Sequence, residues 1–262
     1  MTSAHGPREL LPGVHVATSA LDTTTSTIVV RDGSALLVDP AWQPGEIVRI
    51  ADHLDDRGLV VTAGVATHAH HDHLLWHPRF GDAPRWASAR SAELAVEHRD
   101  DLVTRLGPTA PGWMTDLLGL VRPLAGTSVP DPFGPGRDEA VEVVVHDGHA
   151  PGHTAVWFPD RGLLCVGDLL SDVELPLPFW PDDLPAYLAG LDALAAHVAR
   201  ADRLVPGHGH PTDDPLGRLD ADRRYLDALL RGEDPDDPRR ADPEMEQHHQ
   251  RLRVLARELA QG

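Results

Sequence analysis

Residues 67–76 read T-H-A-H-H-D-H-L-L-W, which places four histidines and one aspartate within six positions. The stretch follows L-V-V-T-A-G-V-A (59–66), a short apolar run typical of a strand buried on both faces. Imidazole and carboxylate groups are the usual ligands of zinc and similar ions. Alternate side chains of an extended loop point the same way, so His68 and His70 can meet at one ion. Asp72 and His73, after a bend, can face a second ion, and the stretch therefore predicts a metal site.

Three downstream positions, like the stretch 67–76, follow strand-like runs or lie between two of them. His153 lies in A-P-G-H-T, Asp168 follows L-L-C-V-G, and His208 lies in V-P-G-H-G after the short run R-L-V. Each signal is weak alone, because an aspartate at a strand end is more often a turn or cap residue. Together they supply the ligands that two ions would still need.

These motifs, in this order and preceded by L-L-V-D-P, resemble the metallo-beta-lactamase superfamily over residues 14–213, and in particular its glyoxalase II and lactonase-like branch. The resemblance implies an α/β fold, an αβ/βα four-layer sandwich in which two mixed sheets lie between outer helices. It implies two zinc ions, with iron or manganese as possible substitutes. It assigns His68, His70 and His153 to the first ion and Asp72, His73 and His208 to the second, with Asp168 bridging both. Asp39 would support the ligands from behind, while His71, His149 and His210 would be bystanders.

Composition excludes several classes of partner. The chain has 262 residues, and its 23 basic and 41 acidic residues give a net charge of −18. Every basic residue is arginine, so lysine chemistry is excluded, and a nucleic-acid partner is not expected. Cys165 is the single cysteine, which excludes an intrachain disulfide and a thiolate zinc cage. No apolar run reaches the length of a membrane span, and the N-terminus does not resemble a signal peptide, so we expect no membrane partner and a cytoplasmic protein.

The remaining pattern predicts one domain over 1–262. Strands are expected within 14–38, at 59–66 and 84–88, over 141–146 and A-V-W-F-P, in R-G-L-L-C-V-G-D, and in R-L-V. Helices are expected from Pro44 to Arg57 and over 89–106, 184–200, 215–231 and 243–260, the last two forming a helical C-terminal extension over 215–262. The segment 107–140 is rich in glycine and proline and is interpreted as an insertion or lid. The pattern leaves the oligomeric state open.

The implied reaction is hydrolysis of a small ester, thioester or lactone by a hydroxide that the two metals share. Asp72 and Asp168 would orient this nucleophile and pass a proton to the leaving group. The carboxylate at Asp168 argues against true beta-lactamase activity. The absence of lysine weakens a glyoxalase II assignment, because that enzyme holds the glutathione carboxylates with lysines.

Three alternatives remain open at this stage. One is an oxidoreductase similar to persulfide dioxygenases, with a single iron. Another is a non-hydrolytic biosynthetic enzyme, such as a cyclase or lyase, on the same scaffold. The third is a catalytically silent metal-binding protein.

Four aromatic residues are candidates for the substrate pocket. They are Trp76 after the metal loop, Trp113 in the 107–140 segment, and Phe179 and Trp180 after Asp168. Core packing is the competing explanation for each of them. Trp113 would touch the substrate if the segment around it folds over the metal groove.

Overall fold

The computed structural model describes residues 5–135, 139–179 and 182–261. The N-terminal part forms a seven-stranded sheet with the strand order β1-β2-β3-β4-β5-β6-β7. The strands are β1 (His5–Leu11), β2 (Val14–Thr18), β3 (Thr25–Arg31), β4 (Ser34–Val38), β5 (Val60–Val65), β6 (Arg85–Ala87) and β7 (Arg122–Pro123). Neighbouring strands are antiparallel from β1 to β4 and parallel from β4 to β7.

The hairpin between β3 and β4 follows from its two turn residues. Asp32 and Gly33 have φ angles of 47° and 80°, and Arg31 pairs with Ser34 across the turn. Two successive positive φ angles give a turn whose twist matches that of the flanking strands, and Asp-Gly adopts this conformation readily. The hairpin predicted from the sequence is confirmed.

A second, four-stranded sheet has the order β11-β10-β9-β8. It consists of β8 (Glu142–His146), β9 (His153–Phe158), β10 (Leu163–Cys165) and β11 (Arg203–Val205). Strand β9 is antiparallel to both of its neighbours, while β10 and β11 are parallel. The two sheets bury a shared layer of side chains that includes Val29, Leu36, Val156 and Phe158.

Helices cover the outer face of each sheet. Helices α1 (Pro44–Asp55), α2 (Ala89–Glu97), α3 (Arg99–Arg105) and α4 (Gly112–Leu117) pack on the first sheet, and α5 (Leu184–Val198), α6 (Pro215–Leu230) and α7 (Pro243–Gln261) pack on the second. This arrangement is the predicted αβ/βα sandwich with two mixed sheets, and the prediction is confirmed. None of the described helices is both long and apolar enough to cross a membrane.

Helix α1 begins where the sequence places it. Pro44 takes the first helical position, where a missing backbone N–H costs nothing, and Gln43 and Glu46 form a reciprocal capping box. Ile47 and Ile50 are buried at helical spacing and hold α1 on the first sheet. The helix ends two residues before the expected Arg57.

Two boundaries differ from the predicted ones. The helix expected over 89–106 is divided at His98, whose φ of −106° interrupts α2 and α3. The strand expected to end at Asp168 ends at Cys165, because Gly167 adopts a φ of +53° that leaves the extended conformation. Asp168 is therefore carried on a loop, three residues beyond its strand.

The segment 107–140 is part of the fold. Its helix α4 buries Met114, with Leu118 just beyond it, on the first sheet's outer face. Its strand β7 adds to that sheet, and its residues Val129 and Phe133 lie between the two sheets. The expectation of a lid is corrected for the described residues of this segment, because their apolar side chains are already used in these contacts. Residues 136–138 lie outside the described part of the chain.

The C-terminal helices pack on the second sheet as one unit. Leu252 and Tyr225 join α7 and α6 within one buried cluster, and the Tyr225 hydroxyl lies 2.6 Å from His249 Nδ1. Arg239, between the two helices, donates to Asp222 at 2.7 Å and to the carbonyl oxygen of Glu174 at 2.9 Å. The Arg239 contacts tie α6 and the segment between the two helices to the loop that follows Asp168.

Candidate metal centre

The predicted ligands meet at the carboxyl ends of strands from both sheets. The loop 67–73 follows β5, and Asp39 follows the neighbouring parallel strand β4. In the second sheet, Asp168 and His208 follow the parallel pair β10 and β11. Parallel strands bring their carboxyl ends to one edge, so segments far apart in sequence converge there.

Asp39 holds the metal loop in position. Its Oδ1 atom accepts a hydrogen bond from the Thr67 backbone N–H at 2.8 Å, and its Oδ2 atom accepts one from the Thr67 hydroxyl at 2.6 Å. The same Oδ2 atom lies 2.9 Å from His73 Nδ1. A carboxylate in this position fixes the ring orientation of His73 and directs its Nε2 atom into the cluster.

Two groups of donor atoms form, and in each of them the atoms lie within 4.8 Å of one another. The first group consists of His68, His70, His149 and Asp168, and the second of Asp72, His73 and His208. His68 Nε2 is 2.8 Å from His70 Nδ1 in the first group. In the second, Asp72 Oδ2 is 3.4 Å from Nε2 of both His73 and His208.

Asp168 lies between the two groups. Its Oδ2 atom is 3.3 Å from His68 Nε2 and 3.3 Å from His149 Nε2, both in the first group. It is also 3.4 Å from His208 Nε2, and Oδ1 is 3.2 Å from His73 Nε2, both in the second group. One carboxylate therefore reaches imidazole nitrogens of both groups.

Burial and charge shift the protonation of these groups in opposite directions. Burial raises the pKa values of Asp72 and Asp168, but His73 and His208 lower them by more, so both carboxyl pKa values fall below their usual range. Burial lowers the pKa of His70 well below its ordinary value. Burial also lowers the pKa values of His73 and His208, but nearby carboxylates led by Asp168 raise them by more.

The donor set suits a divalent metal ion. Imidazole nitrogen and carboxylate oxygen are ligands for zinc, iron and manganese. The Oδ1 atom of Asp168 is buried and forms no hydrogen bond among the described residues, although His73 Nε2 lies 3.2 Å away. A buried carboxylate oxygen that forms no hydrogen bond is costly, and a cation at this position would compensate it.

His149 and His153 do not lie where the sequence motifs suggested. The Nδ1 atom of His149 is 2.8 Å from the Leu177 carbonyl oxygen, and its Nε2 atom points into the first group, 3.2 Å from His70 Nδ1. His153 stacks behind His68, and its Nε2 atom accepts the backbone N–H of Asp168 at 3.1 Å. The two histidines are four residues apart on one turn, so the sequence alone does not decide which imidazole faces the cluster.

The aromatic candidates separate into different environments. Phe179 lies directly on the first group, with its ring centroid 5.1 Å from that of His70. Trp76 is buried in the core under the metal loop, where its ring lies against Gly64. Trp113 packs edge-on against His77 in another part of the same core, with ring centroids 4.6 Å apart. Trp76 and Trp113 are thus used in packing, and Trp180 lies outside the described residues.

Two cavities adjoin the donor groups. A cavity of about 780 Å³ is lined by members of both groups, by Glu174 and by the face of α7 that carries His248. A cavity of about 500 Å³ lies on the other side of His70, between the metal loop and helices α2 and α3. None of the described residues in 107–140 lines either one. Glu174 and His248 were not predicted as lining residues, because no local motif in the sequence marks them.

The sequence model of the metallo-beta-lactamase superfamily matches residues 20–208, which include all of the donor residues described above. The chain belongs to this superfamily. The match covers most of the chain and contains both donor groups, so membership rests on the metal-loop motif together with the strands that carry it.

A protein whose name describes a metallo-hydrolase is similar to part of this chain. The "Probable metallo-hydrolase YqgX" of Bacillus subtilis (strain 168) is 26% identical over an alignment of 153 positions, and the match covers 54% of this chain and 64% of that protein. The match thus spans less than two thirds of that relative.

Solved metallo-beta-lactamase structures share the fold. A metallo-beta-lactamase family protein from Thermus thermophilus has a TM-score of 0.62 and 23% identity over 96% of this chain and 92% of its own. A beta-lactamase domain protein from Burkholderia ambifaria has a TM-score of 0.60 and 24% identity over 86% of this chain and 74% of its own. At these identities the likeness shows the fold alone.

Proposed function

We propose that this protein is a metal-dependent hydrolase that acts on a small ester, thioester or lactone with two divalent ions, preferably zinc. The observation that carries the proposal is the position of Asp168, whose carboxylate lies 3.2–3.4 Å from imidazole nitrogens of both donor groups. A carboxylate shared in this way suits a pair of ions better than a single one. Iron or manganese could replace zinc with the same donors.

In this proposal each donor group holds one ion. His68, His70 and one imidazole of the turn 149–153 would hold the first, and Asp72, His73 and His208 would hold the second, with Asp168 shared between them. Asp39 and the Asp22 carbonyl oxygen, which lies 2.8 Å from His208 Nδ1, fix the imidazoles of His73 and His208 from behind. Such partners raise the basicity of a ligating imidazole and hold its orientation.

When bound, two divalent ions supply Lewis acidity for a substrate carbonyl and lower the pKa of water to about 7. The chain's own contribution is position and proton transfer. The carboxylates of Asp72 and Asp168 would accept a hydrogen bond from the attacking water and return its proton to the leaving atom. Phe179, over the rings of His70 and His149, excludes water from one side of the reacting carbon.

The charge of the molecule supports a small substrate. A net charge of −18 repels nucleic acids, and carboxylates of Asp22, Glu174 and Glu244 line the larger cavity. A mononuclear iron oxidoreductase is the less favoured alternative, because Asp72, His73 and His208 form a second complete donor group.

Metal analysis combined with a substrate panel tests this function. Protein loaded with zinc and passed over a desalting column is expected to retain two zinc ions per chain, measured by plasma mass spectrometry. A chelator should remove both ions and abolish hydrolysis of esters, thioesters or lactones, and added zinc should restore it. One iron per chain, or turnover that persists after the metal is removed, would contradict the proposal.

Replacing the two histidines of the turn one at a time tests which imidazole binds the first ion. We expect His149→Ala to weaken binding of one of the two ions by about tenfold or more, because the Nε2 lone pair of His149 faces the first group. His153→Ala should bind that ion more tightly than His149→Ala does, since the Nε2 atom of His153 accepts a hydrogen bond from the backbone N–H of Asp168. Competition with a metal-binding dye measures both affinities. The reverse order would assign the position to His153, as the family resemblance implies.

A further inference from the structure

We propose that the hydrolase site selects substrates with an apolar acyl group and a leaving group that carries no negative charge. This inference rests on the proposed function and specifies its substrate. It comes from the two cavities beside the donor groups, which meet at His70, His71, Phe179 and Arg251 and form one cleft. The cleft has an apolar half, the cavity of about 500 Å³, and an acidic half, the cavity of about 780 Å³.

The apolar half suits a hydrocarbon chain. Leu94 of α2 and Leu102 of α3 line it from one side, and Ala69, Ala150 and Pro151 line it from the loops. The oppositely charged side chains of Asp101 and Arg105, which are exposed, also line it. Both leucines are buried in the protein, so they present fixed apolar surface to the cavity. A volume of about 500 Å³ is within the range of small-molecule pockets. Each methylene that leaves water here improves binding by up to about fourfold.

The acidic half offers little to an anion. Asp22, Glu174 and Glu244 line it, and Arg251 is the one arginine among its described lining residues. The Arg251 guanidinium already contacts the Asp182 carboxylate. The sequence has no lysine, and Arg105, the other arginine among the described lining residues of the cleft, lies in the apolar half together with Asp101. Apart from the ions that the donor groups would hold, a leaving group that carries carboxylates or phosphates would therefore meet mainly carboxylates in the acidic half.

The placement of the donor atoms orients the substrate. Asp72, Asp168 and His208 line the acidic half, whereas the apolar half contacts the metal loop at Ala69, His70 and His71. A leaving oxygen or sulfur must receive a proton, and the carboxylates that can deliver it lie in this half. The leaving group therefore points into the acidic half and the acyl group into the apolar half.

Thioesters test the two halves separately. The zinc-loaded protein is assayed with acetyl to decanoyl thioesters of N-acetylcysteamine, a neutral leaving group. We expect kcat/KM to rise by about threefold per methylene until the apolar half is filled. With the acyl group held constant, thiocholine and N-acetylcysteamine esters should exceed the glutathione and coenzyme A esters by at least about tenfold. A flat dependence on chain length, or a preference for the glutathione ester, would overturn the inference.

A charge reversal at an exposed residue provides a second test. Glu244→Arg, in the first turn of α7, should raise kcat/KM for the glutathione ester about tenfold relative to the thiocholine ester. Glu258→Arg makes the same charge change on an exposed part of the same helix, away from the lining of the cleft, and should leave this ratio unchanged. Equal effects of the two variants would contradict the inference. If the zinc-loaded protein turns over none of the esters, thioesters or lactones, the proposed function itself fails; turnover without this selectivity overturns the substrate assignment alone.

Discussion

Asp168→Asn is expected to lower kcat/KM by at least about 1,000-fold and to leave less than two metal ions per chain. The amide keeps the shape of the side chain but removes the negative charge between the two donor groups. It also places an NH₂ group near imidazole nitrogens that lie 3.2–3.4 Å from the present carboxylate. Metal content by plasma mass spectrometry and kcat/KM for a thioester are measured on the same preparation.

The matched control for this variant is Asp192→Asn. Asp192 is on the exposed side of α5, where it pairs with Arg223, and its side chain is 76% exposed. An exposed ion pair contributes at most about 1 kcal/mol to stability, so this variant should keep both metal ions and its activity. Full metal content with normal turnover in Asp168→Asn would refute the shared role of this carboxylate.

His70→Ala and His71→Ala, at adjacent positions of the metal loop, should behave differently. His70→Ala removes a nitrogen that lies 2.8 Å from His68 Nε2 and 3.2 Å from His149 Nε2. We therefore expect this variant to lose the first ion, and its kcat/KM to fall by at least about 100-fold. His71 instead packs edge-on against Trp42, with ring centroids 4.9 Å apart. His71→Ala should therefore retain both ions and most of its turnover.

Each of these two variants serves as the other's control, since both remove one imidazole from the same loop. His71 lines the cleft, so a change in KM is compatible with this prediction, whereas loss of metal is not. If both variants lose metal equally, the prediction that His70 faces the cluster and His71 faces away from it is wrong. The alternation of side chains along the loop then does not decide which histidines bind metal.

The sequence predicted the metal loop well because its pattern is local. The apolar run 59–66 and the spacing H-x-H-x-D-H depend on the alternation of side chains along one extended segment, which is a property of the backbone itself. The structure accordingly brings His68, His70, Asp72 and His73 together after β5. The Asp32-Gly33 hairpin was predictable for the same reason, since the required φ angles belong to the two residues alone.

The role of 107–140 was not predictable in this way. Its glycines and prolines indicate irregular backbone, but they do not specify what its apolar residues contact. Phe133 fills space between the sheets, and Trp113 meets His77, a partner 36 residues earlier in the chain. Such contacts depend on how distant elements pack. The composition of a segment therefore does not distinguish an exposed lid from a segment packed in the core.

The sequence by itself thus determined the sandwich fold and the metal loop that carries His68, His70, Asp72 and His73. Only the tertiary structure decided that His149 faces the first donor group, that Glu174 and α7 line the cleft, and that an apolar half lies beside α2 and α3. The physical reason is the range of the interactions. Strand alternation and turn conformation act within a few residues, whereas a cavity is formed by surfaces from segments that meet only when the two sheets and their helices have packed.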